Sequence, residues 1–559
     1  MCSSDLDWLP KLIAEIVDFR LRVWLRAEVV FRARVPNSCV VSRSRGKAPL
    51  PRHALAFGIL AARISAITFG NQSNRNSRKI FPNSMDWCGV ILGARRLRDD
   101  MMIKQTGMPG GRSRRGGLVA LIGLFCASLS VEGQSTENAS AGAANWHQWR
   151  GPEATGVSRT AKPPLRWSEE KNIKWKVAID GKGGGTPIIW GNKVFLLTAI
   201  NTGKVDPTLP KPEDQPKRVF GIKFPNTTYR FVVLCLDRET GNELWRHTAT
   251  ERVPHEGTHN DNDFAPASPM TDGKRLYCWF GSAGLYCFDL DGNKLWERNL
   301  GKAYVGASLG EGCSPVVYDG RVVIVRDHAR QSSIEVLDAR TGTTQWKKDR
   351  NEPNAWATPL VLTHSGKTQV ITAASNAVRS YDLENGEIIW QCSGLTGNVT
   401  PSPVVGGDVV YCMSGYQGYS VLALPLSATG DISKSDKIVW SKRCGTPYVA
   451  SPVLYDGMLY FNQSNQAILT CLDSRTGETI MDRTRLNGIS NIYASPVGAD
   501  GRIYITGRNG TTLVLQRSKD LTVLAKNTLD DRVDASAALA GDQLFLRGNN
   551  FLYCIAEDR

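Results

Sequence analysis

Little in this 559-residue chain suggests a membrane span, a haem or a nucleic-acid partner. The apolar run at 118–129 (LVALIGLFCASL) falls short of the about 20 residues that a bilayer-crossing helix needs, so no transmembrane span is expected. No C-x-x-C-H occurs, which excludes a fused c-type haem. Charge is uneven: the formal net charge is +15, but residues 1–133 hold 21 basic and 9 acidic side chains, so twelve of the fifteen excess charges lie there. The remainder is close to neutral, and the basic front lacks the aromatic and glycine pattern of a nucleic-acid module, so no nucleic-acid partner is expected. With 42% hydrophobic and 22% charged residues, the bulk of the chain has the composition of a folded protein.

Residues 1–100 carry 14 Arg against 3 Lys and no sustained period beyond a helix pattern over 8–30. A better start lies at Met101, Met102 or Met108. Arg112, Arg114 and Arg115 then precede the apolar run, and Ser128, Ser130 and Gly133 follow it, which is the layout of a secretory signal. Leu124 and Phe125 stand before Cys126, where a lipoprotein would need small residues. The expectation is an over-extended, unfolded start over 1–100, a signal peptide over 101–133, a flexible tether over 134–145, and export to the periplasm or cell envelope. Folded sequence begins near Trp146.

Two markers repeat beyond that point. Ser/Thr-Pro recurs at Thr186, Ser268, Ser314, Thr358, Ser402, Ser451 and Ser495, with a degenerate eighth copy at Ser536-Ala537; successive spacings are 82, 46, 44, 44, 49, 44 and 41. The second marker is an apolar strand ending in Asp, a turn with Gly, and Trp four residues later: LCLDRETGNELW, YCFDLDGNKLW, VLDARTGTTQW and SYDLENGEIIW. These copies place Gly241, Gly292, Gly342 and Gly386 with Trp245, Trp296, Trp346 and Trp390. A decayed copy keeps Gly477 but has Met481 for Trp, while Trp175 and Trp440 end copies without the turn. Asp caps the turn, Gly takes its positive φ, and Trp fills the space between sheets. With a second hairpin between markers, as in VVYDGRVVIV, each repeat of about 44 residues holds four short strands. Eight copies predict an all-β, eight-bladed β-propeller of four-stranded antiparallel blades over 146–559, closed by a last sheet shared between 543–557 and the segment from Ile173 to Leu197.

At these residues the chain resembles the pyrroloquinoline-quinone (PQQ) repeat propellers, in particular the BamB-like exported bacterial branch, which carries the repeat without serving as a quinone enzyme. The lead-in NWHQWRGPEATGVS at 145–158 is similar to that of exported members. The resemblance implies a scaffold or protein-binding role in the envelope, with an envelope protein as partner. Quinoprotein dehydrogenases of this fold bind the quinone over a Trp floor, with a calcium held by Glu, Asn and Asp and commonly a vicinal disulfide. No Cys-Cys pair occurs here.

The nine cysteines after residue 134 recur in register: Cys235, Cys287, Cys471 and Cys554 at one small inward position, Cys278 and Cys412 at another. That regularity marks packing residues rather than disulfides. HEGTH at 255–259 formally matches the zinc-protease pattern, but Pro254 precedes it, Gly257 interrupts it and no helical period surrounds it. Its softer reading is a loop in which His255, Glu256, His259, Asp261 and Asp263 gather potential metal or proton ligands, with Asp327 and His328 near the same rim. An insertion at 201–228 with five prolines reads as an exposed excursion suited to a partner. The leading expectation is therefore a non-catalytic binding module with no cofactor. The alternative is a funnel enzyme, either a divergent quinoprotein using PQQ or a metal-dependent activity using a divalent ion at the His255 loop.

Overall fold

A computed structural model describes residues 145–557. The start, the signal and all but the last residue of the tether lie outside the described residues. Within them no helix is long and apolar enough to cross a membrane.

Eight antiparallel sheets succeed one another along the chain as the blades of a propeller. Blade 1 comprises Ile188–Trp190, Lys193–Val205, Thr227–Asp237 and Glu243–Arg252. Blades 2 to 7 occupy 270–298, 316–350, 360–392, 404–442, 453–485 and 497–528. Blade 8 takes three strands from 538–555 and its outer strand, Ile173–Ala178, from the other end of the propeller, pairing Trp175 with Cys554. The first strand of each blade is innermost, and inner strands of neighbouring blades touch from blade 2 to blade 4 and from blade 5 through blade 8 to blade 1.

Closure is narrower than the sequence reading. Only Ile173–Ala178 joins the last sheet; the segment from Ile188 opens blade 1. Between them the chain must pass from the rim to the axis through DGKGGG. A Cβ on Gly183 would lie 2.4 Å from the Leu197 carbonyl oxygen and one on Gly185 2.3 Å from that of Ala267, so only glycine permits the passage. Blade 4 also departs from four strands, because Gly430–Asp431 adds a parallel edge beside Ile388–Cys392.

The turn-and-Trp marker proves to be a lock between blades. In blade 3, Asp338 Oδ1 accepts hydrogen bonds from the Arg340 and Thr341 amides at 3.0 and 2.7 Å, and Gly342 sits at φ +72°. The indole of Trp296, from blade 2, donates to the carbonyl of Ala339 at 3.1 Å and lies flat against Gly342, where a Cβ would meet it at 2.7 Å. The same contact joins Trp175 to Arg238 and Gly241, Trp245 to Leu290 and Gly292, Trp346 to Leu383 and Gly386, and Trp440 to Ser474 and Gly477. Trp390 is the instructive exception. Blade 5 has no such turn, and this indole is buried within its own blade against Gln369 Oε1 at 3.2 Å.

The in-register cysteines follow from the same design. Cys235, Cys287 and Cys554 stand directly across the strand pair from Trp245, Trp296 and Trp175, and Cys471 from Met481. A small side chain there leaves room for the large partner. All nine cysteines of the described residues are unpaired, eight of them buried. Burial pushes the Cys235, Cys287, Cys471 and Cys554 thiols up to about 12.

Candidate functional site

The Ser/Thr-Pro marker sits where each chain segment enters its inner strand, and its hydroxyl is the working atom. The amide of Thr186 donates to Ser268 Oγ at 2.9 Å, that of Ser268 to Ser314 Oγ at 3.0 Å, and that of Ser314 to Thr358 Oγ1 at 3.0 Å. A second arc runs from Ser402 to Ser451, Ser495 and Ser536 at 2.8–2.9 Å. Proline after the hydroxyl residue starts the strand without a donor that the inner edge could not satisfy. The arcs are separated between blades 4 and 5 and between blades 8 and 1. At the first gap Ser402 Oγ accepts the Trp149 indole N–H at 3.0 Å instead.

Trp149 belongs to a plug. Residues 145–162 cross the axis and bond one blade after another: Trp146 bridges Ile189, the Thr271 amide donates to His147, Arg150 Nη2 donates to the Pro452 carbonyl at 2.8 Å, Ser158 bonds Gly498, and Lys162 bonds Gly541. Blades 1, 2, 5, 6, 7 and 8 are thereby tied by a single strap. Above Trp149 a cavity of about 680 Å³ opens toward the inter-blade connections. Its walls follow a rule: the residue two before each marker hydroxyl lines it, namely Gly184, Pro266, Gly312, Trp356, Thr400, Val449, Tyr493 and Asp534. Tyr416 and Tyr448, stacked with centroids 4.9 Å apart, add an aromatic face. Val219 and Phe220, exposed apolar residues of the excursion, stand at the mouth.

The loop between blades 1 and 2 divides its functional candidates between two places. His255 Nε2 lies 2.6 Å from the Ala303 carbonyl oxygen, and Glu256 Oε2 accepts the Val305 amide at 3.0 Å. Both line a second cavity, about 730 Å³, beneath the excursion. Desolvation raises the Glu256 carboxyl above its ordinary range. His259 turns the other way, edge-on to Phe220, with Nδ1 accepting the Asp261 amide at 3.1 Å. Asp261 and Asp263 lie in the funnel wall, where Asp263 Oδ1 accepts the Ala265 amide at 2.8 Å and burial raises its carboxyl. The two imidazoles share no centre, and among the described residues no three His, Cys, Asp or Glu side chains are arranged to hold a metal.

Asp327 and His328 sit apart from the funnel. Asp327 forms a two-point ion pair with buried Arg350, at 2.8 and 3.0 Å. Arg350 also donates to Tyr381 and Thr372, so its cation is fully matched and its pKa raised. His328 Nδ1 accepts the Tyr304 and Arg330 amides, and burial lowers its pKa.

Asp261 is joined on the funnel wall by four residues that the sequence had not singled out, Tyr493, Arg508, Arg532 and Asp534. Asp261 Oδ1 accepts Arg508 Nη2 at 2.6 Å and Arg532 Nη2 at 3.1 Å, and its Oδ2 accepts the Tyr493 hydroxyl at 3.0 Å. Asp534 grips the same guanidiniums, through Arg508 Nε and Nη2 at 2.6 and 3.0 Å and Arg532 Nη2 at 2.9 Å. Arg508 lies over the Tyr493 ring, 3.9 Å from its centroid. Desolvation pushes the Tyr493 phenol up to about 12 and raises the Asp534 carboxyl. The signal was available: Tyr493 and Asp534 both stand two residues before a marker serine.

Residues 230–483 match the family model described as outer membrane protein assembly factor BamB. Over 193 residues the chain is 29% identical to polyvinylalcohol dehydrogenase of Sphingopyxis sp. (strain 113P3), covering 27% of this chain and 28% of that protein. Over 352 residues it is 22% identical to tetrathionate hydrolase of Acidithiobacillus ferrooxidans, covering 58% and 62%. These matches thus span less than two thirds of either relative. Among solved structures, quinohemoprotein alcohol dehydrogenase from Comamonas testosteroni superposes with a TM-score of 0.52 at 10% identity, over 77% of this chain and 83% of that one.

Proposed function

The chain belongs to the PQQ-type β-propeller superfamily, and from that premise we propose that it is a non-catalytic binding module of the bacterial cell envelope that takes a small organic ligand into its plugged central funnel. The observation that carries this reading is the funnel itself: one end sealed by the strap and Trp149, the other open, and walls that combine aromatic faces with amides and hydroxyls. A concave, preformed, largely apolar site with a few polar groups is the usual form of a ligand pocket. The BamB description of the matched family and the leader pattern at 112–133 support the envelope.

Support for a non-catalytic role comes from how the reactive groups are used. His255, His259 and His328 bond main-chain groups rather than a hydroxyl or thiol. A quinone with its calcium, as the quinoprotein dehydrogenases of this fold hold it, fits the residues present only at the Trp149 floor. Calcium needs six to eight oxygen donors, whereas the funnel carboxylates Asp261 and Asp534 already accept from Arg508 and Arg532. A funnel enzyme is the second reading, favoured by the raised Asp534 carboxyl beside Tyr493, a pairing of the kind found where protons are moved.

Saturation-transfer NMR on the purified protein, with a panel of aromatic acids, saccharides and quinones, tests the funnel. Hits that vanish in Trp356→Ala and Tyr448→Ala are expected. A panel without hits, or hits indifferent to both changes, overturns the reading, and turnover of a bound compound moves it to the enzyme. N-terminal sequencing of the exported protein tests the location: a chain beginning near residue 134 is expected, and one retaining residues 1–100 refutes the leader.

A further inference from the structure

The Asp261 carboxylate does not belong to the wall it bonds. Arg508 comes from blade 7, Arg532 and Asp534 from its connection to blade 8 and Tyr493 from the connection between blades 6 and 7, whereas Asp261 is delivered by the connection that follows blade 1. That connection is anchored on the far side. Asn262 Nδ2 donates to the carbonyls of Leu309 and Glu311 at 3.0 and 3.1 Å, and His255 meets Ala303. Only a turn closed by the Asn262 amide on the His259 carbonyl, 2.9 Å, carries Asp261 across, and Asn260 at its tip is exposed.

The wall itself is complete without Asp261. Asp534 holds Arg508 by two bonds and Arg532 by two more. Packing of Arg508 on the Tyr493 ring fixes both. Two guanidiniums, one fixed carboxylate and one phenol leave a single uncompensated positive charge and three donors converging on one point. One Nη2 from each guanidinium and the Tyr493 hydroxyl remain for a ligand, and charge-assisted donors of this kind favour carboxylates and similar oxyanions.

We propose that Tyr493, Arg508 and Arg532 form a receptor for the carboxylate of a small monoanionic ligand, and that Asp261 is a tethered placeholder which occupies the receptor until such a ligand displaces it. The proposal rests on the funnel reading and gives it a substrate class. The one positive charge that Asp534 leaves unmatched on Arg508 and Arg532 suits a monoacid. Trp356 and the Tyr416–Tyr448 stack, which line one cavity with Asp261 and Tyr493, favour an aromatic body on that acid. The tether sets the threshold: a side chain held on a short loop competes at an effective concentration of roughly millimolar or above, so a ligand must exceed that to open the loop, and the opening moves His259 and its contact with Phe220 at the mouth.

The test is calorimetric titration of the full protein with benzoate. Asp261→Ala is expected to bind benzoate at least tenfold more tightly than the wild type, and the double change Asp261→Ala with Arg532→Gln to lose that gain. Asp261→Asn, which keeps the side-chain shape without its charge, is expected to fall between the two and serves if the alanine variant does not fold. No gain in either single variant, or a gain that survives Arg532→Gln, overturns the proposal. If Asp261→Ala gains benzoate while no compound in the NMR panel binds the wild type, the receptor stands and the native ligand-binding reading fails. If the panel binds and Asp261→Ala gains nothing, only the placeholder fails.

Discussion

The lock between Trp296 and Gly342 permits a quantitative trial of what holds one blade to the next. Replacing Gly342 by alanine incurs two separable costs. At φ +72° any Cβ costs about 1–2 kcal/mol, and here that Cβ meets the Trp296 ring at 2.7–2.8 Å, an overpacking worth about 1–3 kcal/mol more. Lower entropy of the unfolded alanine chain returns about 0.4–1 kcal/mol, leaving a loss of about 2–4 kcal/mol. Gly366 isolates the dihedral part, since it has φ +77° and nothing within 4 Å of its virtual Cβ, so Gly366→Ala should cost only about 1 kcal/mol. Trp296→Leu isolates the clash. In that background the cost of Gly342→Ala should fall to the Gly366 value, a coupling of about 1–3 kcal/mol. Guanidinium unfolding followed by far-ultraviolet circular dichroism reads all four variants. A coupling below about 0.5 kcal/mol, or equal costs at Gly342 and Gly366, would refute the claim that glycine is required under the neighbour's indole.

Three further outcomes follow from other parts of the molecule. Asp327→Asn leaves the buried Arg350 cation without its countercharge and should cost about 3–5 kcal/mol in the same unfolding assay; a loss below 1 kcal/mol would show that Tyr381 and Thr372 suffice. Desolvation raises the Glu256 carboxyl in the fold, so the stability its protonation contributes is present below the ordinary 4.5 and is lost as pH rises through the higher folded value. Glu256→Gln should accordingly gain on the wild type in melting temperature between pH 4 and pH 7, and a gap that stays constant contradicts that account. Native protein treated with Ellman's reagent should label Cys444 at most among the nine propeller thiols, the other eight reacting only on unfolding; fast labelling of Cys235 or Cys554 would show that the pairing opposite Trp is loose.

The fold was legible because each marker has a physical task that cannot drift without loss. The degenerate copy at Ser536-Ala537 shows which atom matters: Ser536 Oγ still accepts the Ser495 amide at 2.9 Å, and only the proline has gone. Closure was misjudged by one strand because the hydrophobic pattern continues from Ile173 to Leu197 across the glycines, and a pattern of burial does not reveal which sheet buries it. Of the candidate site, the loop at 255–263 reaches the funnel only from His259 onward, while His255 and Glu256 line the other cavity. Nearness in sequence put His255 beside His259, whereas the loop turns at Gly257, whose Cβ would strike the Lys223 carbonyl at 2.3 Å, and sends the two rings to different cavities. Arg508 and Arg532 were invisible, since nothing local in a blade-7 turn or in the connection to blade 8 announces a partner 247 or 271 residues away.

The strap that seals the funnel also fixes how the protein can be hung from something else. Asn145, where the described chain begins, receives the Gly191 amide on its side-chain oxygen at 2.9 Å. Gly191 is the tip of the first hairpin of blade 1, and such hairpin tips lie at the end of the propeller opposite the inter-blade connections that rim the funnel. Any anchor joined upstream of Asn145 therefore attaches at the sealed pole. The open pole, with Phe220 and the Asp261 loop, lies at the other end of the propeller from any such attachment.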